Sequence, residues 1–298
     1  MDISVGIVTR NRKKSLDETL NSIEKLTLRP YEIIVVENST NKTLTTLVGK
    51  HSSLGIRYFS VKNIGIANCR NLILKKARGE VVCFIDDDCV LPKFWLESVS
   101  NVFKKDKSTV AVVGKSENYY KSSFVAKMEQ KLYETWLSQY LDITKPHKLL
   151  SGIFVNTRNF SVKKSFVERN KLNFDPRAPF KLEDTDFGIK LYARMNPDKE
   201  SLVYSPRFFV YHKNSKNLSD FIKRRFVSRK GAEYLRKKYS SFETLPKSNE
   251  NAFAKLQEGN FWVWWLFFIE RQYLRLEAFV KRGEILIDVE RGYTKKIW

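Results

Sequence analysis

One stretch constrains this chain more than any other: Val81-Val82-Cys83-Phe84-Ile85 runs without a break into Asp86-Asp87-Asp88. An unbroken apolar pentapeptide offers no polar side to water, so it belongs in a sheet covered on both faces. Consecutive carboxylates at its end repel one another and coexist only if solvated, protonated or neutralised by a cation. Two readings stand. The triplet is a solvated acidic turn, or it helps hold a hard divalent ion whose shell is completed by phosphate and water.

The same pattern occurs upstream. Residues 3–8 form a short β-branched run ending in Thr9-Arg10-Asn11-Arg12, and residues 31–36 lead into Glu37-Asn38-Ser39-Thr40. Ser15-Leu16-Asp17-Glu18 has capping-box form, which predicts a helix start at Ser15 with Leu16, Leu20 and Ile23 on its buried face. Residues 56–61 read as a third strand and 64–77 as a helix stopped by Gly79. Such alternation predicts an α/β fold with a mostly parallel sheet flanked by helices. Ligands of these sheets bind beyond the carboxyl ends of the strands, where residues 9–12, 37–40 and 86–88 all fall.

Further along, residues 121–141 read as a helix and 152–162 as a strand carrying Asn156 and Asn159. Residues 175–179 read as a loop, and 201–212 as a strand ending at His212. Glu183-Asp184-Thr185-Asp186 opens a helix with Phe187, Leu191 and Met195 on its apolar side. Asp184 suits either an N-cap or a general base toward a hydroxyl nucleophile. His212 alone is a structural or exposed histidine; sharing a site with the aspartates, it can serve as a metal ligand. In residues 63–71, Gly65 at a helix start and Arg70 one to two turns in favour an anion such as a diphosphate.

Composition narrows the classes. Lys and Arg number 54 against 33 Asp and Glu, a formal charge of +21, which attracts nucleic acid, acidic lipid or phosphorylated small molecules. The N-terminal basic residues follow the apolar run, the reverse of a secretory signal. No apolar run approaches the ~18–20 residues that span a bilayer. Three cysteines without CxxC spacing suit a reducing compartment, and a cytoplasmic location is expected. No Walker A loop, G-x-G-x-x-G, G-x-S-x-G or H-E-x-x-H occurs.

Taken in order, the motifs resemble inverting family 2 glycosyltransferases of the GT-A fold. The opening strand and turn "SVIIPTYNR" is similar to Ser4-Val5-Gly6-Ile7-Val8-Thr9-Arg10-Asn11-Arg12, with Val8 in place of the proline. The strand ending "VVDDGSTD" is similar to Val35-Val36-Glu37-Asn38-Ser39-Thr40, with Glu37 for an Asp. "N-x-G-x-x-x-A-R-N" matches Asn63 through Asn71, and "FLDxD" matches Phe84-Ile85-Asp86-Asp87-Asp88. "GNFSVKK" is echoed by Arg158-Asn159-Phe160-Ser161-Val162-Lys163-Lys164, and "EDxDL" by Glu183-Asp184-Thr185-Asp186-Phe187.

The resemblance covers about residues 2–212 and implies a metal-dependent enzyme using Mg2+ or Mn2+. The implied donor is a nucleoside-diphosphate sugar, a UDP-sugar first among them, and the acceptor a glycan or lipid-linked hydroxyl. Thr9, Asn11 and Glu37 would line the base and ribose pocket; Asn63 and Gly65 are further candidate donor-binding residues. Arg70 would lie near the base or diphosphate. Asp86 would contact ribose, Asp88 the metal, with Asp87 supporting, and Asp184 would act as base; His212 is the further candidate metal ligand from the reading of the residues. A nucleotidyltransferase with the same acidic site is the alternative enzyme. A nucleic-acid-binding protein would leave both acidic clusters unexplained, so no nucleic acid is expected.

The boundary is expected at residue 212, with a helical region over 213–298. Residues 213–239 carry ten Lys and Arg and two acids, and residues 261–269 are rich in Trp and Phe. Basic and aromatic residues together suit an anionic membrane surface. The same aromatics also suit a helix covering the sheet or a homodimer interface.

Overall fold

The computed structural model describes residues 1–39, 44–178 and 182–239. The tryptophan-rich segment at 261–269, with the membrane and dimer expectations attached to it, lies outside the described residues.

The elements run β1 (Ile3–Thr9), α1 (Lys13–Glu24), β2 (Glu32–Asn38), α2 (Thr45–Lys50), β3 (Ile56–Val61), α3 (Ile66–Lys76), β4 (Val81–Asp86) and β5 (Cys89–Val90). They continue with α4 (Trp95–Lys105), β6 (Thr109–Asn118), α5 (Phe124–Leu137), β7 (His147–Lys148), β8 (Asn159–Lys163), α6 (Lys164–Arg169), α7 (Glu183–Ala193), β9 (Ser201–His212) and α8 (Leu218–Lys238).

One sheet takes the order β3-β2-β1-β4-β8-β6-β9-β5, with β7 added to β9. The first four strands are mutually parallel. Beyond β4 the sheet is mixed: β8 runs antiparallel to both β4 and β6, while β6 and β9 are parallel.

Burial on both faces accounts for the continuous apolar strands. In β2, Ile34 and Val36 join one core cluster and Ile33 and Val35 the other; in β4, Val82 and Phe84 are likewise separated from Val81, Cys83 and Ile85. This is the two-residue alternation of a strand read from both sides. Helices α1 and α4 cover one face with Leu16, Leu20, Ile23, Trp95 and Phe103; α3 and α7 cover the other with Ile73, Leu74, Phe187 and Leu191.

Two local expectations are corrected. The capping box points to Ser15, but α1 begins at Lys13 with Arg12 at its N-cap and no side-chain cap bond. Arg12 is fixed by the aspartates of the β4 end, which sets the chain's entry earlier, and Ser15 Oγ instead accepts from Lys213 Nζ at 3.3 Å. Residues 152–162 split into a 3-10 turn at Gly152–Phe154 and the strand β8, with Asn156 between them. The break follows from close packing: a Cβ on Gly152 would stand 1.8 Å from the Gly188 carbonyl oxygen in α7. Among the described residues no helix is long and apolar enough to cross a membrane.

Candidate active site

Sheet register lines up the polar strand ends. Thr9 stands opposite Glu37, and Val8 opposite Asp86. Thr9 is buried, and its hydroxyl donates to Asp87 Oδ2 at 2.6 Å. The Arg12 guanidinium reaches Asp87 Oδ1 at 2.7 Å and Asp88 Oδ2 at 3.0 Å. Burial pushes the Asp87 carboxyl up to about 6 despite Arg12. Asp87 is therefore the internal anchor of the triplet, tied to β1 and to the start of α1.

Asp88 has a different surrounding. The two-residue strand β5 pairs with the end of β9, with Cys89 opposite His212, so the histidine arrives beside the aspartate. His212 Nε2 lies 3.4 Å from Asp88 Oδ1, a buried oxygen with no hydrogen bond. The other ring nitrogen is fixed: Nδ1 is 2.7 Å from Asn214 Oδ1, while the Asn214 amide group donates to Ala126 O and Gln130 Oε1. Asn214 Oδ1 can only accept, so Nδ1 carries a proton, and His212 presents Nε2 to Asp88. Burial opposes charge on Asp88, but His212, Arg12 and Arg158 outweigh it and hold the carboxyl well below the ordinary range.

An ionised, orphaned carboxylate oxygen facing an imidazole nitrogen fits a divalent cation with two protein ligands and a shell completed by phosphate and water. Among the described residues no group of three His, Cys, Asp or Glu side chains converges.

The second acidic cluster meets the first through Arg70. This buried arginine lies over the Phe174 ring, hydrogen-bonds Glu183 Oε1 through NH1, and reaches Asp86 Oδ1 at 3.4 Å through NH2. Asp184 is not the cap of α7; Leu182 holds that position and Asp184 lies in the first turn. Its Oδ1 accepts from Thr185 N at 2.8 Å and its Oδ2 from Thr157 N at 3.3 Å. Burial, then the Glu183 charge, pushes the Asp184 carboxyl up to about 6, against the pull of Arg70. The glycine contact between Gly188 and Gly152 brings α7 against the turn that supplies Thr157.

Thr9, Asp86, Asp87, Asp88, Arg70, Asp184 and His212 thus form one linked set. Glu37 stands apart: it is fully buried, with Oε1 accepting from Ser39 and Oε2 from the Tyr58 hydroxyl. Asn63 and Gly65 form an exposed turn before α3 with φ values of 45° and 86°, and Asn11, at φ 55°, borders a cleft.

That cleft, of about 540 Å³, is lined by Asp88 together with Arg12, Lys13, Lys14, Lys213, Lys216 and Arg224. The cations beyond residue 212 were not legible as site residues. The one available signal was the density of Lys and Arg directly after His212. Arg158 was also missed; it sits among Asp86, Asp88 and Cys89, with its buried Nε unbonded.

Comparison with known proteins places these residues in context. The model of the family described as glycosyl transferase family 2 matches residues 4–169. The chain is 39% identical over 89 residues to the uncharacterized glycosyltransferase YwdF of Bacillus subtilis, covering 30% of this chain and 33% of that one. The chain spans between 12% and 52% of the length of the first curated relatives it matches. Its fold is that of the mannosyltransferase PcManGT from Pyrobaculum calidifontis, solved with GDP-Man and Mn2+, at a TM-score of 0.60, 17% identity, and coverage of 95% of this chain and 79% of that one. Residues 1–349 of S. aureus TarS, solved with UDP-GlcNAc, superpose with a TM-score of 0.53 and 19% identity, covering 86% and 80%. The expected GT-A architecture is the one observed.

Proposed function

The chain belongs to glycosyl transferase family 2, and from that premise we propose that it moves a sugar from a nucleoside-diphosphate donor to a hydroxyl of a glycan or lipid-linked acceptor, inverting the anomeric carbon. A UDP-sugar is the first donor to consider, since one such structural neighbour holds UDP-GlcNAc. The observation that carries the reading is the Arg70 link: one buried guanidinium joins Asp86, at the carboxyl end of β4, to Glu183, beside Asp184. Donor-side and acceptor-side carboxylates are set against each other by a single rigid fork.

Asp86, about a third exposed, would meet the donor ribose, and Thr9, Asn11, Asn63 and Gly65 would contribute to the same pocket. Asp88 and His212 would hold Mg2+ or Mn2+, which when bound neutralises the diphosphate as it leaves. Arg12 and Lys213 bring further positive charge to that end of the cleft.

Asp184, its oxygens oriented by two backbone N–H groups, takes the acceptor proton as the acceptor oxygen attacks the face opposite the leaving group. A carboxyl near 6 is ionised at neutral pH yet remains a stronger base than an ordinary aspartate.

A panel of UDP- and GDP-sugars tests the reading. Release of nucleoside diphosphate supports sugar transfer; release of sugar 1-phosphate marks attack at the α-phosphorus and a nucleotidyltransferase instead.

A further inference from the structure

Helix α8 lies beyond the residues that match the family model, yet its two ends touch the site's two halves. At its start, Arg224 donates to Lys213 O at 3.3 Å, and Lys213 N donates to Asp88 O at 3.0 Å. At its end, Lys238 Nζ stands 2.6 Å from Asp186 Oδ1, 2.7 Å from Asp175 Oδ2 and 3.2 Å from the Tyr234 hydroxyl. An ammonium has three protons, and all three are engaged here. The Tyr239 hydroxyl donates to the same Asp186 oxygen at 2.8 Å, and Tyr234 donates to Asp175 at 3.0 Å.

Asp186 is fully buried and sits in the first turn of α7, two residues beyond Asp184. Its other oxygen has Lys190 at 3.1 Å, one turn along the same helix. A buried carboxylate needs such partners, but Lys190 alone would tie Asp186 only to its own helix. Lys238 and Tyr239 tie it to a separate element and, through Asp175, to the loop leading into α7.

We propose that Lys238 and Tyr239 are positioning residues for the reaction: they clamp the first turn of α7 and thereby set the Asp184 carboxylate against donor and acceptor. The inference rests on the reading of Asp184 as the base. The groups surrounding Asp184 are Glu183, Arg70 and Asp86; Glu183 shares that turn and carries the Arg70 bond. A misplacement of about 1 Å at a reacting group costs up to ~10²-fold in rate, so loss of the clamp acts on turnover, not on donor capture.

The test uses the full chain and the donor cleaved fastest in the panel above, comparing Lys238→Met, Lys238→Arg and Tyr239→Phe. Lys238→Met is expected to lose ~10-fold or more in kcat at unchanged donor KM. Lys238→Arg should recover most of the loss, and Tyr239→Phe should lower kcat by a smaller factor, again without a change in KM. A folded Lys238→Met with wild-type kcat, or one whose loss lies in donor KM, overturns the proposal, as does an Arg variant no better than Met. If Lys238→Met does not fold, Tyr239→Phe decides, and an unchanged kcat overturns it. Asp184→Asn assayed alongside separates the two claims. If it is active, the base assignment falls; if it is inactive beside an unaffected Lys238→Met, only the clamp falls.

Discussion

His212 Nε2 stands 3.4 Å from Asp88 Oδ1, and that oxygen has no hydrogen bond. A buried acceptor left without a partner costs free energy on the order of 1–3 kcal/mol, and a hydrogen bond to the imidazole would relieve it. A divalent cation held by both Asp88 and His212 would fill that gap as well.

The first prediction follows from that gap. Mg2+ or Mn2+ should be required for turnover, and Asp88→Ala or His212→Ala should nearly abolish it. Titration of Mn2+ into the protein, followed by electron paramagnetic resonance, should show binding that weakens in both variants. Full turnover in excess chelator would leave the pair as a polar contact and Asp86-Asp87-Asp88 as a turn.

Arg70 should be needed for folding as well as for activity. Arg70→Met leaves the Glu183 carboxylate, whose Oε2 already lacks a partner, buried and uncompensated. Breaking such a pair costs about 3–5 kcal/mol, to be read from denaturant unfolding. Adding Glu183→Gln should recover part of the stability without recovering transfer. A double variant no more stable than Arg70→Met would show that the pair is not the source of the loss.

The pH profile has a fixed sign. Asp184 must be ionised to accept a proton, and its carboxyl lies at about 6 because burial, then Glu183, raises it. The rate should therefore fall as pH drops through about 6. Glu183→Gln removes the largest charge pushing the Asp184 carboxyl up, so the acidic limb of kcat/KM should move to lower pH. A limb that stays in place would detach the profile from Asp184.

These carboxylates differ in how far the sequence announced them. Asp86-Asp87-Asp88 was legible because an apolar strand cannot end in three acids without consequence, and Asp184 because its cluster opens an amphipathic helix. The division of labour within the triplet was not legible. Asp87 becomes the anchor only because Thr9 and Arg12, brought alongside by the parallel pairing of β1 with β4, reach it.

Arg12 was the harder residue. In the sequence it is one cation in a basic turn before a good capping box, and its pairing with Asp87 overrides the local helix signal at Ser15. Lys213, Lys238 and Tyr239 fall in a stretch whose composition reads as a solvated basic face. Their partners Glu18, Asp175 and Asp186 are far away along the chain, and no periodicity encodes such contacts. Glu37 is the converse case. The motif marks it for the nucleotide pocket, but its oxygens are engaged by Ser39 and Tyr58.

The central claim is that one site binds the donor through its Asp88 side and moves a proton through Asp184. Asp184→Asn, measured for donor affinity by calorimetry and for nucleoside diphosphate release in the same preparation, tests it most directly. The variant keeps the shape and, through its single amide oxygen, one of the two backbone bonds from Thr185 and Thr157, but removes the base. Affinity should match the wild type while release falls by ~10²–10⁴-fold, the usual scale of general-base catalysis. Wild-type release, or loss of donor affinity in a folded variant, would contradict the account.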